Sequence, residues 1–402
     1  MSAAVMLSDV AELVMGQSPP STCYNDAGDG LPFYQGKTDF GATYPTPRIY
    51  CSDPKKLAEE GDILMSVRAP VGATNLCKSQ SCIGRGIAAI RAQGIDRDFL
   101  YFYLKKIEAY IDSLGSGAIF KAINKSQLAE LPINDAGIPL PEQKKIAHIL
   151  STVQRAIEAQ EQIIQTTTEL KKALMHKLFT EGLRNEGQKQ TEIGPVPESW
   201  EVVKLGKHIQ IAHGYAFKGE FFVTDGPTVL TPGNFKLDGG LYWGKRTKYT
   251  TEIYQPNVVL NPGELVVVMT DLTPAAKLLG GPAFIPEGRT ILHNQRIGKV
   301  ELKGLKTTLQ FLYWVFLSES FKRYMRQTAT GSTVRHTSPS KIYQYAFGLP
   351  SLEEQAQAVD CLAKVDAKLA NAEDKKRALE DLFRTLLHEL MTAKTRVYEL
   401  AV

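Results

Sequence analysis

The chain has 402 residues, of which 43% are hydrophobic and 22% charged, a globular composition with enough length for two or three domains. Its net charge of +4 suits a nucleic-acid partner without requiring one. No apolar run reaches membrane-spanning length, and no basic region precedes an apolar stretch near the N-terminus. The sequence therefore predicts neither a membrane segment nor a secretory signal.

The first part of the chain, 1–138, is predicted to be an α+β globule. It contains short β-rich runs at 31–35, 61–67 and 84–90, separated by Gly and Pro turns. A helical segment at 98–112 follows these strands. The alternation of short strands with turns, followed by a helix, indicates one target-binding or structural domain.

A long helix is predicted next, within 139–188. A linker rich in Gly and Pro at 191–200 marks the join to a second globule, which is assigned to 189–349. The second globule follows the same plan as the first, with a strongly apolar strand at 264–269 and a helical segment at 308–327. A second long helix is predicted within 350–402.

The two helical regions are copies of each other. When 139–184 is laid over 351–396 without a gap, twelve of forty-six positions are identical, including Gln143 with Gln355. Apolar residues recur in steps of three and four along both copies, which is the a/d spacing of a coiled-coil seam. This spacing predicts that the helices pair with each other through Leu150, Val153, Ile157, Leu174, Leu178, Leu362, Val365, Leu369, Leu386 and Leu390. The alternative is that each helix lies only on its own globule.

Polar and basic side chains beside glycines and strand ends are candidates for reading DNA. Arg can bind guanine, and Asn or Gln can bind adenine, through paired hydrogen bonds in the major groove. The candidates in the first globule are Gln35, Lys37, Ser66, Arg68 and Arg85. Those in the second are Asn234, Lys236, Thr270, Asp271, Asn294, Gln295 and Arg296. For the run at 293–296, an Asx turn at an exposed strand end explains the residue types equally well.

Two further basic residues follow a small-residue turn near the end of each globule. The turns contain Gly117-Ala-Ile and Gly331-Ser-Thr, and the basic residues are Lys121, Lys125, Arg335 and Lys341. Such side chains suit phosphate contacts that fix the register of a protein on DNA. The alternative for each of them is ordinary surface charge.

The sequence contains no recognisable catalytic or metal site. Walker and dinucleotide-binding loops are missing, as is the Asn/Asp-Pro-Pro-aromatic tetrapeptide of amino methyltransferases. Asp271, Glu301 and Lys303 could be forced into a nuclease pattern, but such triplets arise by chance. The cysteines, interpreted as reduced thiols of a cytoplasmic protein, have no zinc-ligand spacing; they are Cys23, Cys51, Cys77, Cys82 and Cys361. We expect no catalytic residue and no metal in this chain.

These features together resemble the specificity subunit of type I restriction–modification systems. The resemblance covers essentially the whole chain. Its most specific elements are Ile138-Pro-Leu-Pro-Glu-Gln143 with its echo at 350–355, the phrase Ile193-Gly-Pro-Val-Pro-Glu-Ser-Trp200, and Gly331-Ser-Thr. Stretches at 16–19, 66–72 and 292–298 also look like parts of target-recognition domains of this family.

The resemblance implies a division of labour among subunits. Each globule would read one part of a bipartite, asymmetric site in double-stranded DNA, and the antiparallel helices would set the distance between them. Two methyltransferase subunits would dock on this chain, bring S-adenosylmethionine and methylate adenine at N6. Restriction subunits would add ATP- and Mg-dependent cleavage, so this chain would bind no cofactor itself.

Helical geometry agrees with the spacing that the resemblance implies. Two readers on one face of B-DNA lie about 10 base pairs apart, centre to centre. If each reads three or four pairs, six or seven unread pairs separate them. The main rival is a two-domain coiled-coil adaptor that binds proteins and not DNA. A restriction enzyme in its own right is disfavoured by the missing catalytic motifs.

Overall fold

Two units make up the chain in the computed structural model, which describes residues 5–116, 121–133, 137–392, 394, 395 and 397. The first unit comprises Met1–Ile164 and Asn371–Val402, and the second comprises Gln165–Ala370. Each division falls inside a long helix, so both units contain part of each one.

The first unit contains two β-sheets. One has the strand order β1-β9-β6-β7 and is antiparallel. The other has the order β2-β4-β3-β8-β5, with β3 and β8 parallel. The strands are β1 (Ala11–Met15), β2 (Tyr24–Asn25), β3 (Leu31–Tyr34), β4 (Tyr50–Cys51), β5 (Leu57–Ala58), β6 (Ile63–Ser66), β7 (Thr74–Leu76), β8 (Ser81–Ile83) and β9 (Ile87–Ala92). The helices of this globule are α1 (Leu7–Val10), α2 (Arg97–Lys106), α3 (Glu108–Leu114) and α4 (Lys125–Ala129).

The central strands β6 and β9 are mostly apolar, and β6 is buried throughout, because both of their faces are covered. Ile63, Met65 and Ile90 belong to the cluster that includes the buried residues of α2. Their neighbours in sequence, such as Leu64, pack in a separate cluster with Tyr34 of the second sheet. Since successive strand residues point to opposite faces, the continuous apolar run is what a sheet between two layers requires.

Two long helices take part in the first unit, α5 (Leu140–Thr180) with its residues up to 164 and α9 (Leu352–Met391) with its residues from 371. Leu150 belongs to the same buried cluster as Leu390 and Met391. Lys376 Nζ lies 2.8 Å from Glu161 Oε1. Early residues of α5 thus meet late residues of α9, so the paired segments are antiparallel.

The second unit repeats this plan. Its four-stranded sheets have the orders β13-β21-β17-β19 and β15-β14-β20-β16, with β14 and β20 parallel. The strands are β10 (Gln188–Thr191), β11 (Gly194–Pro197), β12 (Glu201–Lys204), β13 (Ile209–His213), β14 (Phe222–Leu230), β15 (Lys248–Thr250), β16 (Val259–Leu260), β17 (Leu265–Val268), β18 (Thr270–Asp271), β19 (Pro282–Phe284), β20 (Ile291–His293), β21 (Ile297–Leu302), β22 (Arg335–His336) and β23 (Ala346–Leu349). The helices are α6 (Leu309–Leu317), α7 (Glu319–Thr328) and α8 (Pro339–Gln344), besides the end of α5 and the start of α9.

The helix segments of the second unit are also antiparallel. Leu178, near the end of α5, is buried in one cluster with Leu362 and Trp314. Lys171 Nζ lies 2.6 Å from Asp366 Oδ1 and 5.2 Å from the centre of the Trp314 ring. The charged head of Lys171 is therefore neutralised while its stem covers apolar surface.

The predicted fold class is confirmed: two α+β globules, each followed by a long helix, with the helices paired antiparallel within each unit. Among the predicted pairing residues, some are buried and the others half-buried. The buried ones are Leu150, Ile157, Leu178, Leu362 and Leu390, and the half-buried ones are Val153, Leu174, Val365, Leu369 and Leu386.

Two details differ from the sequence-based expectation. The helical segments predicted at 98–112 and 308–327 are each broken into two helices, at Ile107 and Ser318. Ser318 leaves helical geometry because its hydroxyl caps α7, accepting a hydrogen bond from the Phe321 amide at 3.3 Å. The predicted linker also contains the ordered hairpin β10–β11 and the buried Trp200.

Across the described residues, no helix is both long enough and apolar enough to cross a membrane. The long helices fail this requirement because charged residues occur throughout their exposed faces.

Candidate nucleic-acid interface

The ends of four strands converge at one edge of the first globule. We call this edge the first tip and define it by 16–19, 35–37, 66–68 and 84–86. Backbone hydrogen bonds join its loops: the Gly84 amide donates to the Tyr34 carbonyl at 2.8 Å, and the Val67 amide donates to the Gly86 carbonyl at 2.9 Å. Residues far apart in sequence are thereby fixed side by side.

Glycine is needed where these loops touch. A Cβ on Gly86 would lie 2.1 Å from the Gln35 carbonyl oxygen, and one on Gly16 would lie 2.1 Å from the Gly84 carbonyl oxygen. Both distances are far below van der Waals contact, so any side chain at either position would push the loops apart. Gly16 and Gly86 thus allow backbone segments to come together around the exposed Arg85.

The first tip surrounds a cavity of about 480 Å³, which we call the first cleft. Its lining residues include Ser18, Pro19, Tyr24, Gln35, Arg68 and Arg85. Gln35, Arg68 and Arg85 are exposed. Within the part of the chain that the structure describes, neither guanidinium has an ion-pair or hydrogen-bond partner. Three of the predicted DNA-binding residues are therefore brought together in one polar, positively charged concavity.

Two buried side chains hold the first cleft in shape. Ser66, predicted to contact DNA, is buried, and its hydroxyl donates to the Arg68 carbonyl at 2.8 Å. Asp39, which sequence reasoning did not single out, accepts from the Gln35 amide at 2.7 Å and pairs with Arg48 at 2.5 Å. Its signal in the sequence is an acid three residues after Gly36, the capping position of a short helical turn. Ser66 and Asp39 position the residues that face the cleft.

The other basic candidates of the first globule lie outside the first cleft. Lys121 donates to Asp112 at 2.9 Å, and this hydrogen bond lowers the pKa of the Asp112 carboxyl. Lys37 is exposed and lies 3.8 Å from Glu108, while Lys125 is exposed at the start of α4. The turn at 117–120, which the sequence analysis singled out, lies outside the described residues.

The second globule has an equivalent edge, the second tip, defined by 214–217, 231–236, 269–271 and 294–296. The Met269 amide donates to the Arg296 carbonyl at 2.9 Å, as Val67 does to Gly86. A Cβ on Gly214 would lie 2.2 Å from the His293 carbonyl oxygen, so Gly214 plays the part of Gly16. The two globules thus present loops on the same scaffold.

The run at 293–296 contains both an Asx turn and exposed polar side chains, the two alternatives that its residue types allowed. Asn294 is nearly buried and forms an Asx turn, accepting from the Arg296 amide at 3.0 Å. Buried His293 places its Nε2 2.8 Å from the Ile297 carbonyl, and burial lowers its pKa, which favours a neutral ring that donates there. Gln295 and Arg296 are exposed. The turn thus holds Gln295 and Arg296 out toward solvent.

Three other candidates of the second tip are buried and satisfied. Asp271 accepts from Thr273 and from the Leu278 amide at 2.7 Å, which closes its own loop. Asn234 accepts from the Thr231 amide at 3.0 Å. Thr270 shares a hydrogen bond of 3.1 Å with His336 Nδ1. In this structure, Asp271, Asn234 and Thr270 shape loops and do not present their side chains.

Arg335 and Lys341 bind the C-terminal end of α7. Arg335 donates to the Arg326 carbonyl at 3.2 Å, and Lys341 Nζ donates to the Thr328 carbonyl at 2.6 Å. Cations are favourable at such helix ends because the last carbonyls lack intrahelical partners. Neither of the two original interpretations, phosphate contact or plain surface charge, included this role. Lys236, by contrast, is exposed.

Tyr215 is a candidate that sequence reasoning missed. Tyr215 is 42% exposed at the second tip. Its hydroxyl donates to Glu252 Oε1 at 3.0 Å, and Glu252 also accepts from the Lys218 amide at 2.9 Å. Its position in the sequence could have identified it. Tyr215 directly follows Gly214 at the end of β13, as Gln17 directly follows Gly16 at the end of β1. An exposed aromatic ring fixed in place offers a flat surface to a base or a thymine methyl group.

No group of three or more His, Cys, Asp or Glu side chains in the described ranges is arranged to hold a metal ion. Each α+β globule has one polar edge, and each edge exposes a few hydrogen-bond donors on loops joined by backbone hydrogen bonds. This combination defines a two-domain recognition protein with a helical scaffold.

Comparison with known proteins identifies the family. The family model described as "Type I restriction modification DNA specificity domain" matches residues 3–169 and 197–381. The chain therefore belongs to the family of type I restriction–modification specificity subunits.

Curated relatives and a solved structure agree with this family. A putative type I restriction enzyme MjaX specificity subunit from Methanocaldococcus jannaschii is 43% identical over 43% of this chain, a match that spans only 41% of that relative. The type I restriction enzyme MjaVIII specificity subunit of the same organism is 29% identical over 76% of this chain and 72% of that relative. The crystal structure of a type I S subunit from M. genitalium covers 97% of both chains with a TM-score of 0.65 and 17% identity, which is a likeness of fold.

Proposed function

We propose that this chain is the sequence-specific DNA-binding subunit of a type I restriction–modification complex and reads a bipartite, asymmetric site in double-stranded DNA. The observation that carries the proposal is the pair of tips. They are built on corresponding strand ends and share the Val67–Gly86 type of backbone hydrogen bond, yet they expose different side chains, such as Arg85 in one and Gln295 in the other. A shared scaffold with unlike donors is what two different half-sites require.

In this proposal the chain has no catalytic role. Two methyltransferase subunits dock on it, bind S-adenosylmethionine and methylate adenine at N6, which requires the base to be flipped out of the duplex. Restriction subunits supply ATP- and Mg-dependent cleavage. The assembly acts in the cytoplasm, where the DNA lies.

The salt dependence of DNA binding tests the proposal. The chain assembled with its methyltransferase subunits should bind duplex DNA, and its affinity should fall about a thousandfold or more between 50 and 200 mM salt if six or more phosphates are engaged. Fluorescence anisotropy with a labelled duplex measures this directly. An assembled complex without affinity for duplex DNA would instead support the protein-binding adaptor.

Helix length is expected to set the spacer between the half-sites. We would insert one heptad after Ile164 and one after Ala370, where the two units divide, so that the contacts inside each unit are kept. Each insertion adds about 10 Å of helix, close to the rise of three base pairs. The preferred spacer should lengthen while both half-site sequences stay the same, as read by methylome sequencing.

A matched control inserts a flexible heptad of Gly and Ser between Glu192 and Ile193, in the turn between β10 and β11. This control adds the same number of residues without lengthening a helix, so it should leave the spacer unchanged. A heptad in the helices that changed the sequence of a half-site would contradict the idea of a helical ruler.

A further inference from the structure

The two arginines that line the first cleft, Arg68 and Arg85, form no salt bridge with any of the residues that the structure describes. The Val67–Gly86 hydrogen bond of 2.9 Å joins the loop that carries Arg68 to the loop that carries Arg85. Both side chains are exposed and line the same cavity. In the described residues, the nearby acid Asp39 is already paired with Arg48. Two like charges on adjacent loops favour a ligand rich in hydrogen-bond acceptors.

The backbone beneath these arginines is held firmly while the guanidiniums stay free. Ser66 fixes the Arg68 carbonyl at 2.8 Å, and the Arg85 amide donates to Ser18 Oγ at 3.3 Å. Gly86 allows the Gln35 carbonyl to approach its backbone closely. A fixed backbone with free planar donors suits the readout of a base edge, because bidentate hydrogen bonds require a defined approach.

The corresponding positions of the second tip carry different side chains. By strand register, Arg68 corresponds to Thr270, and Arg85 corresponds to Gln295. Thr270 is buried and bonded to His336, so it offers no free donor to a ligand. The second tip exposes one arginine, Arg296, where the first exposes two. The two tips therefore differ in the number of guanidinium groups that they expose.

We propose that the first cleft reads guanine, with Arg68 and Arg85 each donating to O6 and N7 of a guanine in the major groove of the first half-site. This inference rests on the proposed function and names the base that it reads. Guanine is the base whose major-groove edge presents two acceptors and no donor, which matches the five donors of a guanidinium. The competing ligand, a backbone phosphate, has acceptors too but carries no sequence information.

The test begins with the recognition sequence. Methylome sequencing of cells that carry this chain with its methyltransferase gives both half-sites. Arg85→Ala should relax the required sequence in one half-site, and the control variant Arg296→Ala should relax it in the other. The half-site relaxed by Arg85→Ala is expected to contain at least two guanines, counted over both strands.

The second step probes single atoms with the assembled complex. Duplexes carrying 7-deazaguanine at one position lack N7 but keep Watson–Crick pairing. At a guanine read by Arg85, this substitution should weaken binding by wild type about tenfold. It should have no further effect on the Arg85→Ala complex. Circular dichroism of each variant checks that the surface substitution leaves the fold intact.

The outcomes separate this inference from the function on which it rests. If the wild-type complex does not bind duplex DNA, both the proposed function and this inference are overturned. A recognition sequence whose first half-site lacks guanine overturns the inference alone. An Arg85→Ala complex that loses affinity equally for all duplexes, with a smaller salt dependence, identifies Arg85 as a phosphate contact and overturns the inference as well.

Discussion

Replacing Gln355 by Leu is expected to destabilise the second unit by about 2–4 kcal/mol, because several buried hydrogen bonds lose their partner at once. Gln355 is fully buried in the first turns of α9. Its Oε1 accepts from the Thr307 hydroxyl at 3.0 Å, and its Nε2 donates to the carbonyls of Lys306 and Pro350 at 2.9 and 3.0 Å. Leu has nearly the same volume but cannot satisfy any of these groups.

Urea unfolding followed by tryptophan fluorescence measures this effect on the relevant unit. All three tryptophans, Trp200, Trp243 and Trp314, lie in the second unit. The matched control is Gln357→Leu, the same chemical change two residues further along α9 at an exposed position. The control should change the free energy of unfolding by less than about 0.5 kcal/mol. Equal effects of the two substitutions would show that the buried hydrogen bonds of Gln355 do not stabilise the second unit.

A buried glutamine forms equivalent hydrogen bonds in the first unit, which explains why the sequence motif around it is repeated. Gln143 is buried, accepts from the Asp96 amide at 2.9 Å and donates to the Ile138 carbonyl at 2.8 Å. Asp96 caps α2, just as Thr308, the neighbour of Thr307, caps α6. In each unit the glutamine thus ties the start of a long helix to the start of the apolar helix of its globule. The identity at these two positions keeps this joint the same while the loops of the globules vary.

The fold could be predicted from the sequence because its signals are periodic or repeated. The three–four spacing from Leu150 to Leu178 and from Leu362 to Leu390 places those side chains on one face of each helix, and the structure has them buried or half-buried. Similarly, the apolar run at 264–269 required a strand covered on both faces. Such patterns are local, so a single sequence displays them.

The candidate site was less predictable because identical residue types play different parts there. Arg85 and Arg335 are both arginines near small-residue turns, yet one lines a cleft and the other binds the end of α7. Asp271 and Asn294 resemble recognition residues but close their own loops. Which part each plays depends on contacts with residues distant in sequence. No pattern along the chain encodes those contacts.

The pairing of the long helices in the second unit depends on buried apolar side chains. Leu362 is completely buried in the cluster with Leu178 and Trp314. Leu362→Ala should therefore lower the free energy of unfolding by about 2.7–5 kcal/mol, through lost burial and the cavity left behind.

The control for this substitution is Leu170→Ala, on α5 in the same unit, where the side chain is 54% exposed. It removes the same atoms from a site that water already reaches, so its effect should stay below about 1 kcal/mol. Urea unfolding followed by tryptophan fluorescence suits both variants, because Trp314 lies against Leu362 in the same cluster. If Leu170→Ala proved as costly as Leu362→Ala, the seam would not be the surface that holds the two helix segments together. A large difference between them ties the stability of the helix pair to its a/d positions.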